Sequence, residues 1–385
     1  MLKQRNQRFD KSGRLIKDKY YLGNLLVFKY IVSYPDAPND FPSATTWLFG
    51  ILPLGKINIT SEMLLSKSVR GGGRKSKKYF LDASHPMAQD IAKSTYQDNV
   101  KENIERLCAG LDEQSVQCVN RILARLKMSY SVKDKRIYRL TSEEKEVLQE
   151  IEQEFYPNII PLKDCYFYNG FFLPKGDLVE FGVSVFWHNH GLTNIKHWDR
   201  IADKNIIDVG GFIGDSALIL QKYTKAKIYS FEALSDNYDL MLKTIILNKT
   251  DKIIPIKKAL GAEFDKLKIY KYGSGSSMAI AKSEDYEEVE VITLDSFVQE
   301  NDIKVGFIKV DIEGFEMPFL QGALETIKAQ KPAMLLSIYH QASDFFGIKP
   351  FLEDLGLGYK FKVYKPIDRS VSGETCLFCE VDSES

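Results

Sequence analysis

Cysteine is scarce in this chain: five in 385 residues, at positions 108, 118, 165, 376 and 379. An odd number without framework spacing excludes a disulfide-stapled secreted scaffold and fits a reducing compartment, so a cytoplasmic protein is expected. An excess of either charge is also missing, with 52 Lys plus Arg against 52 Asp plus Glu. No global field draws nucleic acid or acidic polymers, and nucleic acid is not an expected partner. Nor is there a run of roughly 18 apolar residues that could span a membrane, and the basic start MLKQRNQRFDKSGRLIKDKYY lacks the apolar stretch of a signal peptide. The nearest approach, Thr46 to Ile57, is short and interrupted by Gly50, Pro53 and Gly55. A buried structural segment is expected there, with peripheral membrane or partner contact as the alternative. What remains is an ordinary globular composition, 44% hydrophobic and 27% charged, with room for about two domains.

Between Ser66 and Lys78 the run SKSVRGGGRKSKK joins three glycines to six basic residues, which predicts a linker or flexible arm, with an RNA- or phosphate-contacting patch as the alternative. Apolar spacing from Ala88 to Leu126 predicts two amphipathic helices broken near Gly110. TSEE at Thr141 to Glu144 reads as a capping box opening a helix that runs to Phe155. A boundary is placed near residue 140, dividing a mixed, partly helical region 1–140 from a domain 141–385 with its core in 204–385. In that core, apolar runs alternate with amphipathic segments at Asp215 to Tyr223, Asn237 to Asn248, Glu316 to Ala329 and Ser343 to Leu355. The runs are NIIDVG, KIYSFEA, IIPIKKAL, VGFIKVDI, AMLLSIY, YKFKVY and TCLFCEV. This alternation predicts an α/β fold, a mainly parallel sheet with helices on both faces.

IIDVGGFIG, Ile206 to Gly214, reads as a strand, an acid and a glycine-rich turn that opens a helix, where backbone N–H groups can approach a ligand closely. The register differs from a dinucleotide fingerprint, because Val209 stands where the first glycine belongs. Asp208, Gly210, Gly211 and Gly214 are therefore assigned to a cofactor without a pyrophosphate. Glu232 closes the next strand roughly 20 residues on, where an acid can hydrogen-bond both ribose hydroxyls. Asp311, in KVDIEGFE, reaches the same sheet edge, between cofactor and acceptor. His340, in SIYH, follows the next strand and is assigned as general base toward an acceptor hydroxyl.

Together these pieces resemble the FkbM family of methyltransferases over roughly residues 165 to 380, through IIDVGGFIGDSALIL, IYSFEALSDNYDLM, KKALG, VITLDSF, GFIKVDIEGFE, LLSIYHQASDF and ETCLFC. The resemblance implies a class I, Rossmann-like methyltransferase fold, S-adenosyl-L-methionine as donor, and O-methylation of a hydroxyl on a sugar or polyketide-type product. Asp208, Gly210 and Gly214 match the family's cofactor turn, Glu232 its ribose acid and Asp311 the acid of K-x-D-x-E-G. Some members end the fifth strand in Glu-Ile-His; this chain has Ser337-Ile338-Tyr339-His340, similar to a subgroup ending in Tyr-His. LFGILPLGKI is similar to short segments of bacterial surface-glycan biosynthesis proteins, which points the acceptor toward a glycan.

His190, Ser277 and Tyr339 are candidate acceptor contacts. No metal site is assigned: His188, His190 and His197 lack a matching set of carboxylates. Cys376 and Cys379 sit in an apparent strand and read as core. Two other readings stand beside the methyltransferase: a non-catalytic binding or scaffold protein on the same fold, and an NAD-dependent sugar-modifying enzyme.

Overall fold

The computed structural model describes residues 79–382 apart from 177–178 and 270–285; of residues 1–78 and 270–285 only strand backbone is described. The chain divides into two compact units, Met1–Lys77 and Lys78–Ser385. In the first, the strands Leu15–Leu22, Leu25–Ser33, Ser43–Leu48 and Leu52–Asn58 pair antiparallel in chain order. The burial expected for Thr46 to Ile57 and the basic loop 66–78 lie outside the described residues.

The second unit opens with helices α1 (Pro86–Ser94), α2 (Val100–Cys108), α3 (Glu113–Tyr130) and α4 (Ser142–Glu150). Three helices stand where two are expected over Ala88 to Leu126. The additional break falls after Ser94, where the Thr95 hydroxyl donates to the Ala92 carbonyl and the backbone turns through residues 95–99. The capping box forms as read: Thr141 Oγ1 accepts from the Glu144 N–H at 3.1 Å, and Glu144 Oε2 accepts from the Thr141 N–H at 2.8 Å. A π-helical turn, Ile151–Phe155, extends α4.

All seven apolar runs become strands of one sheet: β1 (Asn205–Val209), β2 (Ile228–Phe231), β3 (Ile253–Ile256), β4 (Val305–Val310), β5 (Ala333–Ser337), β6 (Tyr359–Tyr364) and β7 (Cys376–Val381). Their order is β3-β2-β1-β4-β5-β7-β6, parallel except for β7, which runs against both neighbours. Period-two alternation sorts the side chains onto two faces. Ile207, Val209, Ile308, Val310, Met334 and Leu336 enter one core, while Ile206, Phe307 and Leu335 enter the other. Both faces are covered, as a parallel sheet requires. Over the second core lie α5 (Asp215–Leu220), through Ala217 and Leu218, and α6 (Ser235–Asn248), through Leu240 and Ile245. Over the first lie α7 (Leu294–Glu300), α8 (Glu316–Gln321), α9 (Leu324–Gln330) and α10 (Ala342–Asp354). The single helix expected over Glu316 to Ala329 is divided at Gly322, whose Cα is so close to the Gly261 carbonyl that a Cβ would lie 1.9 Å from its oxygen.

The first core also takes Ile91, Leu107, Ile122, Leu126 and Leu148 from α1 to α4. Of these, α1 to α3, placed before the expected boundary near residue 140, belong to the unit that begins at Lys78. Among the described residues no helix is long and apolar enough to cross a membrane.

A chain trimmed to 78–385 is expected to unfold in one cooperative step by circular dichroism, with the midpoint of the full chain's second unit. One trimmed to 141–385 exposes the apolar surface covered by α1 to α3 and should lose that step. Leu126→Ala, a milder probe of the same contact, should destabilise by about 2–5 kcal/mol in urea.

Candidate active site

The strand order reverses between β1 and β4, so the connections leaving their carboxyl ends diverge and open a crevice. A cavity of about 470 Å³ lies there. The turn after β1 forms one wall. Gly210 has φ +76, and a Cβ on it would stand 1.9 Å from the Asp311 carbonyl oxygen, so only glycine lets the β1 and β4 connections come this close. Gly211 and Gly214 do not line the cavity: a Cβ on Gly211 would strike Ser230 Oγ at 2.1 Å, and one on Gly214 would press Met241 on α6. Their absent side chains serve packing.

Asp208 is the first correction. It is expected in the cofactor turn, yet it is fully buried below it, on the same sheet face as Ile206. Its parallel-ladder neighbours are Lys309 on β4 and Ser230 on β2. Lys309 Nζ lies 3.3 Å from Asp208 Oδ1, and Ser230 Oγ donates to Oδ2 at 2.6 Å. Lys309 also donates to the Gly210 carbonyl at 2.8 Å. Asp208 therefore positions the turn through Lys309 instead of touching a ligand. Burial works against the charge on Lys309, but Asp208, then Asp311 and Asp215, outweigh it and hold the ammonium above its usual range.

Glu232, at the end of β2, lines the cavity. Its carboxylate accepts from the Phe212 N–H and the Leu234 N–H, both at 2.9 Å. Burial raises it to about 7 against the pull of these hydrogen bonds. The turn after β1 and the start of the β2 connection are thus tied together by one acid that can accept further donors.

Asp311 lines the cavity just beyond β4, and the Tyr339 hydroxyl donates to it at 3.4 Å. His340 lies behind Asp311 and is the second correction. Its side chain is 1% exposed; Nε2 is 3.2 Å from Asp311 Oδ1, and Nδ1 is 2.8 Å from Glu316 Oε1. Burial alone would strip its proton, but Asp311 and Glu316 outweigh burial and hold the ring well above the usual imidazole range. A buried ring that two flanking carboxylates hold toward its protonated form is poorly placed to take a proton from an acceptor. It acts on Asp311 instead, whose carboxyl burial would raise but which the His340 hydrogen bond and charge bring far below the usual carboxylate range. Asp311, Glu316 and His340 place ligand-type atoms within 4.8 Å of one another. The two carboxylates face different ring nitrogens, a geometry that suits a shared proton better than a cation, which would draw both acids to one nitrogen.

Of the candidate acceptor contacts, His190 and Tyr339 line the cavity. His190 has φ +52, and its Nε2 is 2.9 Å from Ser216 Oγ. Burial and the nearby Lys309 lower it to about 3, so it is neutral. The side chain of Ser277 lies outside the described residues. Cys376 and Cys379 are buried strand residues in the two cores, as read. Sequence reasoning missed Asp215, Glu313 and Glu374, which also line the cavity. Glu374 has φ +61 in the turn that precedes β7, and the Tyr339 hydroxyl is 3.5 Å from its Oε1. No motif marks it; its signal is an acid immediately before a strand that returns to the edge of β5.

The sheet order and the crevice are those of a Rossmann-like α/β fold of the kind that methyltransferases use. Residues 208–361 match the methyltransferase FkbM domain. The fold is similar to that of an FkbM methyltransferase from Methylobacillus flagellatus KT, at 19% identity and a TM-score of 0.50 over 77% of this chain; the present chain spans 62% of that one. A looser likeness is to a tRNA m1G37 methyltransferase of M. jannaschii, at 14% identity and a TM-score of 0.32, over 59% of this chain and 58% of that one. No curated protein matches the sequence.

The His340 proton should appear in the stability profile. Its folded-state pKa is raised, so the stability it supplies is complete below an unfolded value of about 6.5 and declines as pH rises toward the folded value. Urea unfolding from pH 6 to 9 should show this decline in the native chain, and His340→Gln should flatten it.

Proposed function

We propose that the cavity binds S-adenosyl-L-methionine and that the chain transfers a methyl group to a hydroxyl of a sugar or surface-glycan precursor. The observation that carries this reading is Glu232: a buried carboxylate at the end of β2, beside a turn whose Gly210 leaves room for a ligand against the backbone. Glu232 would hold the ribose hydroxyls, and Ala233, Leu234 and Leu260 give the cavity an apolar side suited to a base. The bound donor would supply an electrophilic methyl group on a sulfonium sulfur. Asp311, kept ionised by His340, sets negative charge at the bend of the cavity, where it can orient an acceptor hydroxyl.

The acceptor's class is supported by charge. Glu180, Asp311, Glu313 and Glu374 line the cavity, while its two lysines are engaged, Lys309 with Asp208 and Lys258 with Glu290. A neutral polyhydroxyl acceptor suits this lining better than a phosphate. Glu374 is the group we assign to take the hydroxyl proton. Its left-handed backbone carries strain on the order of 1–3 kcal/mol, the kind of outlier that collects at functional sites. Burial raises its carboxyl to about 7, where a base is available at neutral pH and still accepts a proton readily.

Calorimetry with S-adenosylmethionine should show Glu232→Ala weakening binding by at least about tenfold, through loss of hydrogen bonds to the ligand. Unchanged affinity would remove Glu232 from the site, and a thermal shift with NAD alone would replace the donor. Glu374→Gln should keep donor affinity and lower turnover by about 10²–10⁴-fold. In the native chain turnover should rise with pH through about 7, and the variant should lose that limb. Acceptors can be sought as sugar or glycan species that gain the mass of one methyl group when the active chain is supplied.

A further inference from the structure

One corner of the second unit carries chemistry that the cavity does not use. Tyr96 at the end of α1, Met128 and Tyr130 at the end of α3, and Val132 and Tyr138 beyond it are exposed, Met128 by 60% and Val132 by 49%. Tyr96 and Tyr130 pair with ring centroids 5.3 Å apart, Lys135 lies 5.6 Å over the Tyr130 ring, and Arg136 lies over both Phe80 and Tyr138, whose rings are 5.8 Å apart. Residues 127–139 hold five basic side chains, Lys127, Lys133, Lys135, Arg136 and Arg139, against one acid. That acid, Asp134, is held by Arg136 at 2.8 and 2.9 Å. A protein with no net charge has gathered positive charge around its exposed tyrosines.

We propose that this corner docks on an anionic lipid bilayer. Met128, Val132 and Tyr138 would enter the headgroup boundary, where amphipathic tyrosine and aliphatic side chains are both favoured, and the basic residues would meet lipid phosphates. The ring faces decide against a nucleic acid. Lys127 lies 4.9 Å over the Tyr96 ring, Lys135 5.6 Å over Tyr130 and Arg136 5.8 Å over Tyr138, so cations occupy faces on which bases would stack. Met128, Val132 and Tyr138 are exposed together with Lys133 and Arg139, a combination of apolar, phenolic and basic groups that suits a lipid–water boundary.

The test is co-sedimentation of the full chain with vesicles of phosphatidylcholine alone and with one third phosphatidylglycerol. Binding is expected to the anionic vesicles, and to fall at about 0.5 M salt. Lys133→Glu with Arg139→Glu, at exposed positions, should weaken binding at least about tenfold, since each basic residue near an anionic surface counts for a factor of about five. Met128→Ser with Val132→Ser and Tyr138→Ser should weaken it several-fold, and both variants should keep the native unfolding midpoint. Equal sedimentation with both vesicle types, no sedimentation with either, or variants that bind like the native chain would each overturn the proposal. So would tighter binding to a single-stranded RNA oligonucleotide than to the anionic vesicles.

Discussion

The arrangement of the cavity depends on an ion pair inside the sheet. Asp208 and Lys309 occupy matched positions on adjacent parallel strands, at the point where the strand order reverses. A buried pair of this kind adds little net stability, because desolvating both charges offsets their attraction. Its contribution is geometric. Lys309 has one direction in which its charge is matched, and in that direction it also reaches the Gly210 carbonyl. The glycine turn is thereby fixed against β4, and the Gly210 Cα lies against the Asp311 backbone. The pair has a second effect: the ammonium that borders the cavity is already neutralised, so the lining reads as acidic.

The acids around the crevice are sorted by what lies behind them. Asp311 has the His340 imidazolium at its back and stays ionised, and Glu316 takes the opposite nitrogen of the same ring. Behind Glu316, Asp344 on α10 is raised to about 7, first by burial and then by the Glu316 charge, which favours its protonated form. One positive ring thus serves two carboxylates, and the third acid is shifted toward its protonated form. Glu232 and Glu374 have no such cation and are raised by burial instead, which leaves them responsive to ligand hydroxyls. Carboxylates acquire different tasks through neighbours that belong to other elements.

The sheet was legible because strands buried on both faces are written as short apolar runs between turn residues, and each of the seven runs became a strand. Glu232 and Asp311 were legible because they end such runs. Asp208 was misplaced for a reason the sequence also contains: it sits within its run, one residue before the end, and Lys309 interrupts the β4 run at the matching place. Opposite charges at matched depth in two apolar strands read as a buried pair rather than as two ligand contacts. His340 could not be judged from its strand alone, since its proton depends on Glu316, 24 residues earlier and on another element. Glu374 left only a faint signal, an acid just before the β7 run, because what aims it is a left-handed backbone angle that no residue type announces.

The matched family segment begins at residue 208, yet the physical unit begins well before it. Lys349 on α10 donates to the Ala109 carbonyl at the end of α2 and to Glu353, and Arg106 on α2 pairs with Glu353 and Asp354. Since α1 to α4 share a core with Ile207 and Ile308, a force applied to the exposed ends of α1 and α3 is carried into the sheet through close-packed side chains, which transmit strain instead of absorbing it. A surface held this way fixes the attitude of the cavity toward whatever it docks on. For an enzyme whose acceptor is a polymer or a lipid-linked sugar, that orientation does part of the work of substrate positioning, and it requires that the early helices belong to the catalytic unit rather than hang from it on a linker.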